Sequence, residues 1–578
     1  MKKILFSAFL ALSAYIAPSQ AQTKIAVMPF DVLSKEPYME QFGLGTSDTL
    51  TNALGSIPDF IMVDRGQMSV IMKEQALQQS GFTDSSNSIK LGKLLNVDLL
   101  IIGSIQNEDK VYRITARFTD VQTGKILKSL QVTGNSIFNL QDQLAQDIIK
   151  EKKITIDDSQ KKYIENITNA TNNNSAFEHY TKGRTAYFKF TESGYKEAIE
   201  NFDKAIEADN KYTLALSSKS ESQALLAYEY KKNGLEFVDL LKKAEQNALE
   251  AIKQNSELAE SHRALSIVYN IQKKRKEARD EAEKAIKINP NDAESNVLLW
   301  INNKLDPDSP LIHKAISLNP YLVPALNYLG NSYAIKRKFS EAMTNYKRAI
   351  EINPNYSSSY VNLANLYEDQ KMPDEAINNY KKAIEINPNH VFAYYYLASI
   401  YFKQKDLDQS TNYLNNLLKI NPKFLPAIAK LANIYNIQGR FREAEFILKD
   451  GLTIDPKNMD IITELGFSYQ KIGDRYYFEK SFKEAVEAYN QSIKLTPKNI
   501  SSLLNLGIAY YSLSDFENAI NTYNQALVLA PDNSELHDNL GMTYQAQGKN
   551  SEAIIEYKKA CTLGRSQTCE WLKDNKVN

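Results

Sequence analysis

Asparagine side chains recur at two fixed positions in the second two thirds of this 578-residue sequence. The two positions lie three residues apart within predicted helices, which places the side chains on one helix face. A carboxamide both donates and accepts hydrogen bonds, so a row of them can bind the backbone of an extended peptide without reading its sequence. A solvated helix surface is the alternative interpretation. The predicted peptide-binding residues are Asn331, Asn362, Asn365, Asn433, Asn505 and Asn539.

Histidine and cysteine are scarce, and their spacing predicts no metal centre. The five histidines are His179, His262, His313, His390 and His537. They show neither metal-ligand nor catalytic-triad spacing, so we expect surface or packing roles for them. Cys561 and Cys569 are eight residues apart across a predicted turn. In an exported protein this spacing predicts a disulfide that pins the last helix, with two free thiols as the alternative.

No catalytic motif is recognisable. The sequence contains no Walker phosphate loop, glycine-rich dinucleotide fingerprint, Gly-x-Ser-x-Gly elbow or paired metal motif. We therefore expect a non-enzymatic protein that uses no cofactor. The 69 basic and 69 acidic residues balance to a net charge of zero. Without a strong electrostatic field, nucleic acid and anionic membranes are disfavoured as partners.

The elements that position the asparagines repeat along the chain. Eight prolines follow one another at steps of 30, 34, 34, 34, 34, 41 and 34 residues, and they are Pro290, Pro320, Pro354, Pro388, Pro422, Pro456, Pro497 and Pro531. Small residues such as Gly330 and Ala342 recur where the two antiparallel helices of a hairpin would approach closely, and large ones such as Tyr333 and Tyr346 recur where they would fill the layer between successive hairpins. This pattern resembles the tetratricopeptide repeat (TPR), a helical hairpin of 34 residues.

The TPR resemblance implies an all-α solenoid, a right-handed superhelix whose concave face binds a protein or peptide partner. We predict about eleven repeats over residues 175–567, then a C-terminal cap helix and tail over 568–578. The 30-residue step indicates a shortened repeat. The 41-residue step indicates an insertion near Arg475 to Ser481. The tyrosines of the pattern are expected to lie in the core.

The first 21 residues predict a cleavable export signal. Lys2 and Lys3 precede an apolar stretch from Ile4 to Ala17, and Ser19-Gln20-Ala21 matches a cleavage site. A membrane anchor is disfavoured, because these 14 residues are fewer than the roughly 20 that a spanning helix needs. We expect an exported, periplasmic protein with no integral membrane span, and peripheral association with the outer membrane stays open.

Residues 22–153 predict an α/β domain with helices on a mixed sheet of four or five strands. The strands are predicted at Lys24–Phe30, Phe60–Val63, Val97–Ile105, Val111–Asp120 and Ile126–Val132, from apolar or alternating runs. The helices are predicted at about 38–54, 66–79, 88–95 and 136–152. Residues 154–174 are polar and predict a linker.

Four separated strings of this domain resemble the CsgG-like and TolB-N-terminal-like domains of bacterial envelope proteins. They are IAVMPF from Ile25, MVDR from Met62, KEQALQQSGFTD from Lys73 and LGKLLNVDLLIIGSI from Leu91. The resemblance implies a scaffold whose N-terminal domain docks to an envelope complex or self-associates into a homo-oligomer. A component of a CsgG-type export channel is the alternative. Two departures count against it: no lipid-acceptor cysteine follows the signal, and no pair of lipid-facing strands is inserted before the hairpin at Val111.

Overall fold

The computed structural model describes residues 22–34, 36, 39–63, 89–90, 92–93, 95–108 and 111–575. The predicted export signal, the helix predicted at 66–79, residues 88, 91 and 94 of the helix predicted at 88–95, and residues 576–578 lie outside the described residues. Residues 89–90, 92–93 and 95 are helical. The chain divides into two compact units, Met1–Pro388 and Asn389–Asn578. We call them the N-terminal unit and the C-terminal unit.

The N-terminal unit begins with a six-stranded mixed sheet. Its strands are β1 Thr23–Val27, β2 Asp31–Leu33, β3 Phe60–Val63, β4 Leu99–Glu108, β5 Val111–Asp120 and β6 Ile126–Gly134. The order is β3-β1-β4-β5-β6, with β2 paired to β4. The pairs β1–β3 and β1–β4 are parallel, whereas β4, β5 and β6 form an antiparallel meander. Strand β2 was not predicted, because three residues are too few to show a period.

Among the described residues of this domain, three helices have both ends defined: α1 Glu40–Gly55, α2 Ile137–Glu151 and α3 Asp158–Thr168. Helix α1 approaches the sheet so closely that a Cβ atom on Gly43 would overlap the carbonyl oxygen of Phe30. Helix α3 shows that the predicted linker over 154–174 is wrong. Asp157 caps α3 in a reciprocal capping box with Gln160, and the inner face of the helix is buried. Its polar composition therefore describes the outer face alone.

Eleven helical hairpins follow in the described chain. The six of the N-terminal unit are Asn174–Tyr187 with Glu192–Ala208, Thr213–Lys232 with Val238–Gln254, Ala259–Ile271 with Arg275–Ile288, Ala293–Asn302 with Pro310–Leu318, Val323–Ile335 with Phe339–Ile352, and Ser357–Asp369 with Pro373–Ile386. The five of the C-terminal unit are Val391–Lys403 with Leu407–Ile420, Leu425–Ile437 with Phe441–Ile454, Met459–Phe478 with Phe482–Leu495, Ile500–Ser512 with Phe516–Leu529, and Ser534–Ala546 with Asn550–Thr562. A last helix spans Ser566–Asp574.

In five of these hairpins a glycine of the first helix faces an aromatic ring of the second. A Cβ atom on Gly330 would lie 2.5 Å from the ring of Tyr346, and one on Gly473 would lie 2.6 Å from the ring of Tyr489. Both tyrosines are buried. Tyr333, on a first helix, is half-buried. The close approach of the two helices therefore depends on the missing side chain, and the second-helix tyrosines form the core.

The 41-residue proline step lengthens one helix. Met459–Phe478 has 20 residues, whereas the first helix of the next hairpin, Ile500–Ser512, has 13. Seven extra residues correspond to two helical turns. Gly473 lies 16 residues before Tyr489, as Gly330 lies 16 before Tyr346. The extra turns therefore precede Gly473, and the insertion predicted near Arg475 to Ser481 is misplaced.

Candidate partner-binding surfaces

The sheet domain packs against the first hairpin of its own chain. The ring of Phe177 in that hairpin lies 5.0 Å from the ring of Phe42 and 5.4 Å from that of Phe138. A Cβ atom on Gly45 would lie 2.5 Å from Phe177. This contact therefore has no room for an additional methyl group.

Hydrogen bonds extend the contact to the third hairpin. Asn291 Nδ2 donates to the carbonyl oxygens of Ile57 at 2.9 Å and Phe60 at 2.8 Å. The hydroxyl of Tyr163 in α3 donates to Glu260 Oε1 at 3.0 Å. In the N-terminal unit, the domain therefore already occupies part of the repeat surface.

A buried group of charged side chains lies beside this contact, and we call it the arginine–carboxylate cluster (Arg184, Glu221, Arg263, Asp292 and Glu294). Arg263 Nε donates to Glu221 Oε1 at 2.7 Å, and its Nη1 donates to Asp292 Oδ2 at 2.9 Å. Glu294 Oε2 lies 3.2 Å from Arg263 Nε, and Arg184 Nη1 lies 3.8 Å from Glu221 Oε2. The Glu221 side chain is 0% exposed. Burial raises the pKa of the Glu294 carboxyl, while Arg263 opposes that rise.

A polar cavity of about 110 Å³ lies between the domain and this cluster. Asp48, Thr51, Glu260 and Arg263 are among the residues that line it. Glu260 is buried, and its Oε2 has no hydrogen-bond partner among the described residues. Burial raises the pKa of Glu260, again opposed by Arg263. At roughly 30 Å³ per water, the cavity has room for a few ordered water molecules rather than a peptide.

The proline spacing does not point to Arg184 or Glu221, because it begins at Pro290 and leaves the first two hairpins unaligned. Arg184 follows Gly183, as Asn331 follows Gly330. Glu221 follows Ser220, whose hydroxyl donates to Ala244 of the second helix. The sequence signal that identifies Arg184 and Glu221 is thus a charged residue directly after the small residue of the first helix.

Two of the predicted asparagines accept hydrogen bonds from tyrosines of their own hairpins. Tyr346 donates its hydroxyl to Asn331 Oδ1 at 2.7 Å, and Tyr380 donates to Asn365 Oδ1. Both asparagines are half-buried. Because the oxygen of each carboxamide is engaged, Nδ2 is the atom that remains for a partner.

The other four predicted asparagines donate through Nδ2. Asn362 donates to Asn327 Oδ1 at 3.0 Å, Asn433 to both carboxylate oxygens of Glu464 at 3.2 and 3.3 Å, Asn505 to Asp474 Oδ1 at 2.8 Å, and Asn539 to the carbonyl oxygen of Glu535 at 2.9 Å. Each of the six carboxamides thus uses either its oxygen or its nitrogen in an intramolecular hydrogen bond. A peptide backbone would hydrogen-bond to the other polar atom of each side chain. Peptide binding by these residues stays a prediction.

The first helix of the C-terminal unit, Val391–Lys403, carries a half-buried aromatic cluster. Phe392 stacks on Tyr396 with ring centroids 5.9 Å apart. Phe424 of the next hairpin meets Phe392 edge-on at 5.7 Å and Tyr395 at 5.6 Å. We call these four residues the aromatic surface.

A lysine lies against the aromatic surface. Lys430 Nζ lies 5.4 Å from the ring centroid of Tyr395 and 5.3 Å from that of Phe402. Burial lowers the pKa of Lys430, and the charge of Lys403 lowers it further. Aromatic faces stabilise a cation at this distance, and an added carboxylate or carbonyl group would stabilise it further.

Sequence-family comparisons agree with this architecture. Models described as tetratricopeptide or TPR repeats match residues 330–371, 357–390, 379–411, 425–458, 473–514, 509–548 and 534–565. The helical hairpins that these models match are tetratricopeptide repeats. A model described as curli production assembly/transport component CsgG matches residues 11–113.

Several solved repeat proteins are similar to parts of this chain. YrrB, described as a TPR protein with an unusual peptide-binding site, is 19% identical over 33% of this chain and 95% of its own, with a TM-score of 0.29. A TPR protein from Parabacteroides merdae is 18% identical over 43% and 97%, with a TM-score of 0.29. The MamA protein is 20% identical over 31% and 93%, with a TM-score of 0.26. No curated protein matches the chain.

Two histidines occupy equivalent buried positions in the third and last hairpins. His262 Nδ1 lies 2.6 Å from Glu281 Oε2, and His537 Nδ1 lies 2.5 Å from Glu556 Oε2. Each joins the first helix of its hairpin to the second, which is a packing role. Within the described ranges, no three His, Cys, Asp or Glu residues are placed to hold a metal ion.

The end of the TPR array carries a disulfide between Cys561 and Cys569, whose Cα atoms are 4.8 Å apart. The bond joins the last TPR to the helix Ser566–Asp574, whose Trp571 ring packs 4.6 Å from that of Tyr557. Among the residues that the structure describes, no helix has the length and apolarity to cross a membrane.

Proposed function

We propose that this chain is an exported, non-enzymatic protein-interaction scaffold that binds a segment of a partner protein through the TPRs of the C-terminal unit. The observation that carries the proposal is the difference between the two units. In the N-terminal unit, Asn291 and Tyr163 join the repeats to the protein's own domain. In the C-terminal unit, first helices bear the half-buried aromatic surface.

The chemistry of these first helices favours a segment with apolar side chains. The aromatic surface offers ring faces and edges to such side chains. Lys430 lies over two of its rings, and the carboxamide oxygens of Asn433 and Asn505 can accept from a peptide backbone, because their intramolecular bonds use Nδ2. These groups bind a main chain and its apolar side chains together.

The sheet domain is proposed to dock at an envelope complex or to self-associate. Support comes from the CsgG match over residues 11–113 and from β6, the edge of the described sheet. Ile126 and Leu127 on this strand are exposed, and an exposed edge strand can pair with another chain. The export signal supports a periplasmic location.

A CsgG-type channel component is the second candidate, and the same family match favours it. Its weakness is the hairpin Val111–Gly134, which is paired within the sheet as β5 and β6. A channel component should fractionate with outer membranes and form rings in detergent, whereas a scaffold should be recovered in the soluble periplasmic extract.

Site-specific photo-crosslinking in the native host tests the scaffold proposal. A photo-reactive phenylalanine at position 396 lies in the aromatic surface. The matched control replaces Phe446, which is 75% exposed on a second helix of the same unit. We expect a discrete partner adduct from position 396 and none from position 446. The double substitution Asn433→Ala with Asn505→Ala should weaken the adduct from position 396. Equal adducts from positions 396 and 446 would contradict binding by these TPRs. An adduct from a third probe at position 127 of β6, with none from position 396, would contradict it too.

A further inference from the structure

One residue in the turn of each described hairpin has a left-handed conformation, with a positive φ. In nine turns this residue is glycine, lysine, arginine or serine, which suits an exposed tight turn. The first and fourth turns instead carry Phe190, with φ 52°, and Leu305, with φ 50°. Large apolar side chains at such positions need a reason other than turn geometry.

Both residues line a cavity of about 250 Å³ inside the N-terminal unit. Ile267, Leu298 and Ile301 from the first helices of the third and fourth hairpins contribute to its wall. Two hydrogen bonds join the hairpins on either side of this cavity. Asn353 Nδ2 donates to the carbonyl oxygen of Lys189 at 3.2 Å, and Lys232 Nζ donates to Ser358 Oγ at 3.1 Å.

Two tyrosines of this cavity offer hydroxyl groups to a ligand. Tyr328 and Tyr356 line the cavity, and each retains accessible surface. Burial nevertheless raises the pKa of both hydroxyls well above the usual range for tyrosine. The hydroxyls stay neutral and can hydrogen-bond to an uncharged group.

The charged groups of the wall are already paired. Glu229 Oε2 lies 2.8 Å from Lys232 Nζ, and Glu294 Oε2 lies 3.2 Å from Arg263 Nε. An anionic ligand would meet two carboxylates there, and a cation would compete with existing partners. Apolar cavities destabilise a fold in proportion to their volume unless they are filled, and an apolar cavity of about 150 Å³ takes up benzene.

We propose that this cavity binds a neutral aliphatic chain with one hydrogen-bonding head group, of the size of a medium-chain alcohol or acyl ester. The apolar wall holds the chain, and a tyrosine hydroxyl bonds the head. This site lies in the N-terminal unit and is separate from the aromatic surface proposed for partner binding.

The test titrates N-phenyl-1-naphthylamine, an uncharged dye that brightens in apolar sites, into the full chain. We expect saturable binding of one dye per chain, displacement by 1-decanol, and displacement by decanoate at least about tenfold weaker. Binding that does not saturate, or saturable binding that 1-decanol does not displace, would overturn the proposal. Displacement by a trileucine amide but not by 1-decanol would overturn it too, assigning the cavity to a partner's side chains.

Two variants locate the dye. Leu305→Lys restores the residue type that other turns of this array carry, so the hairpin should fold, and Ile301→Glu adds a charge to the wall. Each should weaken dye binding at least about tenfold. The matched controls are Lys371→Leu, the reverse exchange at another turn, and Ile335→Glu, at a position 79% exposed in the same unit. Dye affinity unchanged in both cavity variants would refute the site, even if the wild-type chain binds the dye.

Discussion

Arg263→Met should be the most damaging single change in the arginine–carboxylate cluster. It removes the cation that lies 2.7 Å from Glu221 and 2.9 Å from Asp292 while leaving both carboxylates buried. Breaking a buried ion pair by removing one partner costs about 3–5 kcal/mol, because the remaining charge is uncompensated. Asp292 also caps the helix Ala293–Asn302, so a shift of its carboxylate should loosen the helix start beside Asn291.

Urea unfolding followed by tryptophan fluorescence measures this loss. The chain has two tryptophans, and Trp300 is buried in the N-terminal unit, so a Trp571→Phe background makes Trp300 the single reporter. Arg279→Met is the matched control. Arg279 lies 3.9 Å from Glu283, and both side chains are about half exposed. Such a surface pair should cost less than about 1 kcal/mol.

A second substitution separates charge from packing. Adding Glu221→Gln to Arg263→Met removes one of the orphaned charges, so the double variant should recover part of the lost free energy of unfolding. Coupling of this kind is expected for residues in contact. A loss no larger than that of Arg279→Met, or a double variant less stable than Arg263→Met alone, would refute the role assigned to the cluster.

Three further outcomes are expected. Burial raises the pKa of Glu260 in the folded chain, so this carboxyl favours folding below its unfolded pKa of about 4.3 and that contribution is lost as pH rises through the folded value. Glu260→Gln should therefore raise the urea midpoint at pH 7 more than at pH 4, and an equal effect at both would contradict the shift. Gly43→Ala should cost about 1–3 kcal/mol by overlap with a backbone carbonyl, whereas Gly55→Ala in the same helix, with nearest contact 3.8 Å, should be neutral or stabilising in urea unfolding. A thiol count on unreduced, denatured protein should find Cys561 and Cys569 unreactive, and two reactive thiols would remove the disulfide.

The repeat period was readable from the sequence because each hairpin imposes the same local demands. Pro354 and Pro388 end second helices, and Gly330 must be small for Tyr346 to pack. These demands repeat every 34 residues whatever the partner is. Five of the six strands were readable for a similar reason, since the alternation of β5 reflects one buried and one solvated face.

The features that escaped prediction depend on contacts between distant residues. Helix α3 was predicted as a linker because its polar face dominates the composition, and its buried Tyr163 matters through Glu260, 97 residues away. The half-engaged carboxamides of Asn331 and Asn365 depend on the tyrosine 15 residues later in each hairpin. A position in the repeat therefore predicts a face, but the intramolecular partner decides what that face can offer.

Hairpins that depart from the 34-residue period make contacts beyond the adjacent hairpins of the array. The shortened fourth hairpin of the N-terminal unit contributes Leu305 to the apolar cavity and contacts the sheet domain. In the C-terminal unit the departure is the helix Met459–Phe478, which begins with Met459, 68% exposed. We therefore expect this extension to touch the partner.

Deleting residues 466–472 tests that expectation, because Gly466 and Gly473 are seven residues apart and the deletion returns the helix to 13 residues with Gly473 still opposite Tyr489. The circular dichroism of the helices should change little, while the adduct from position 396 should weaken. A full-strength adduct from the deleted chain would show that the two extra turns serve the stacking of the hairpins rather than the partner. In that case the departure from the 34-residue period would serve packing in the C-terminal unit and ligand contact in the N-terminal unit.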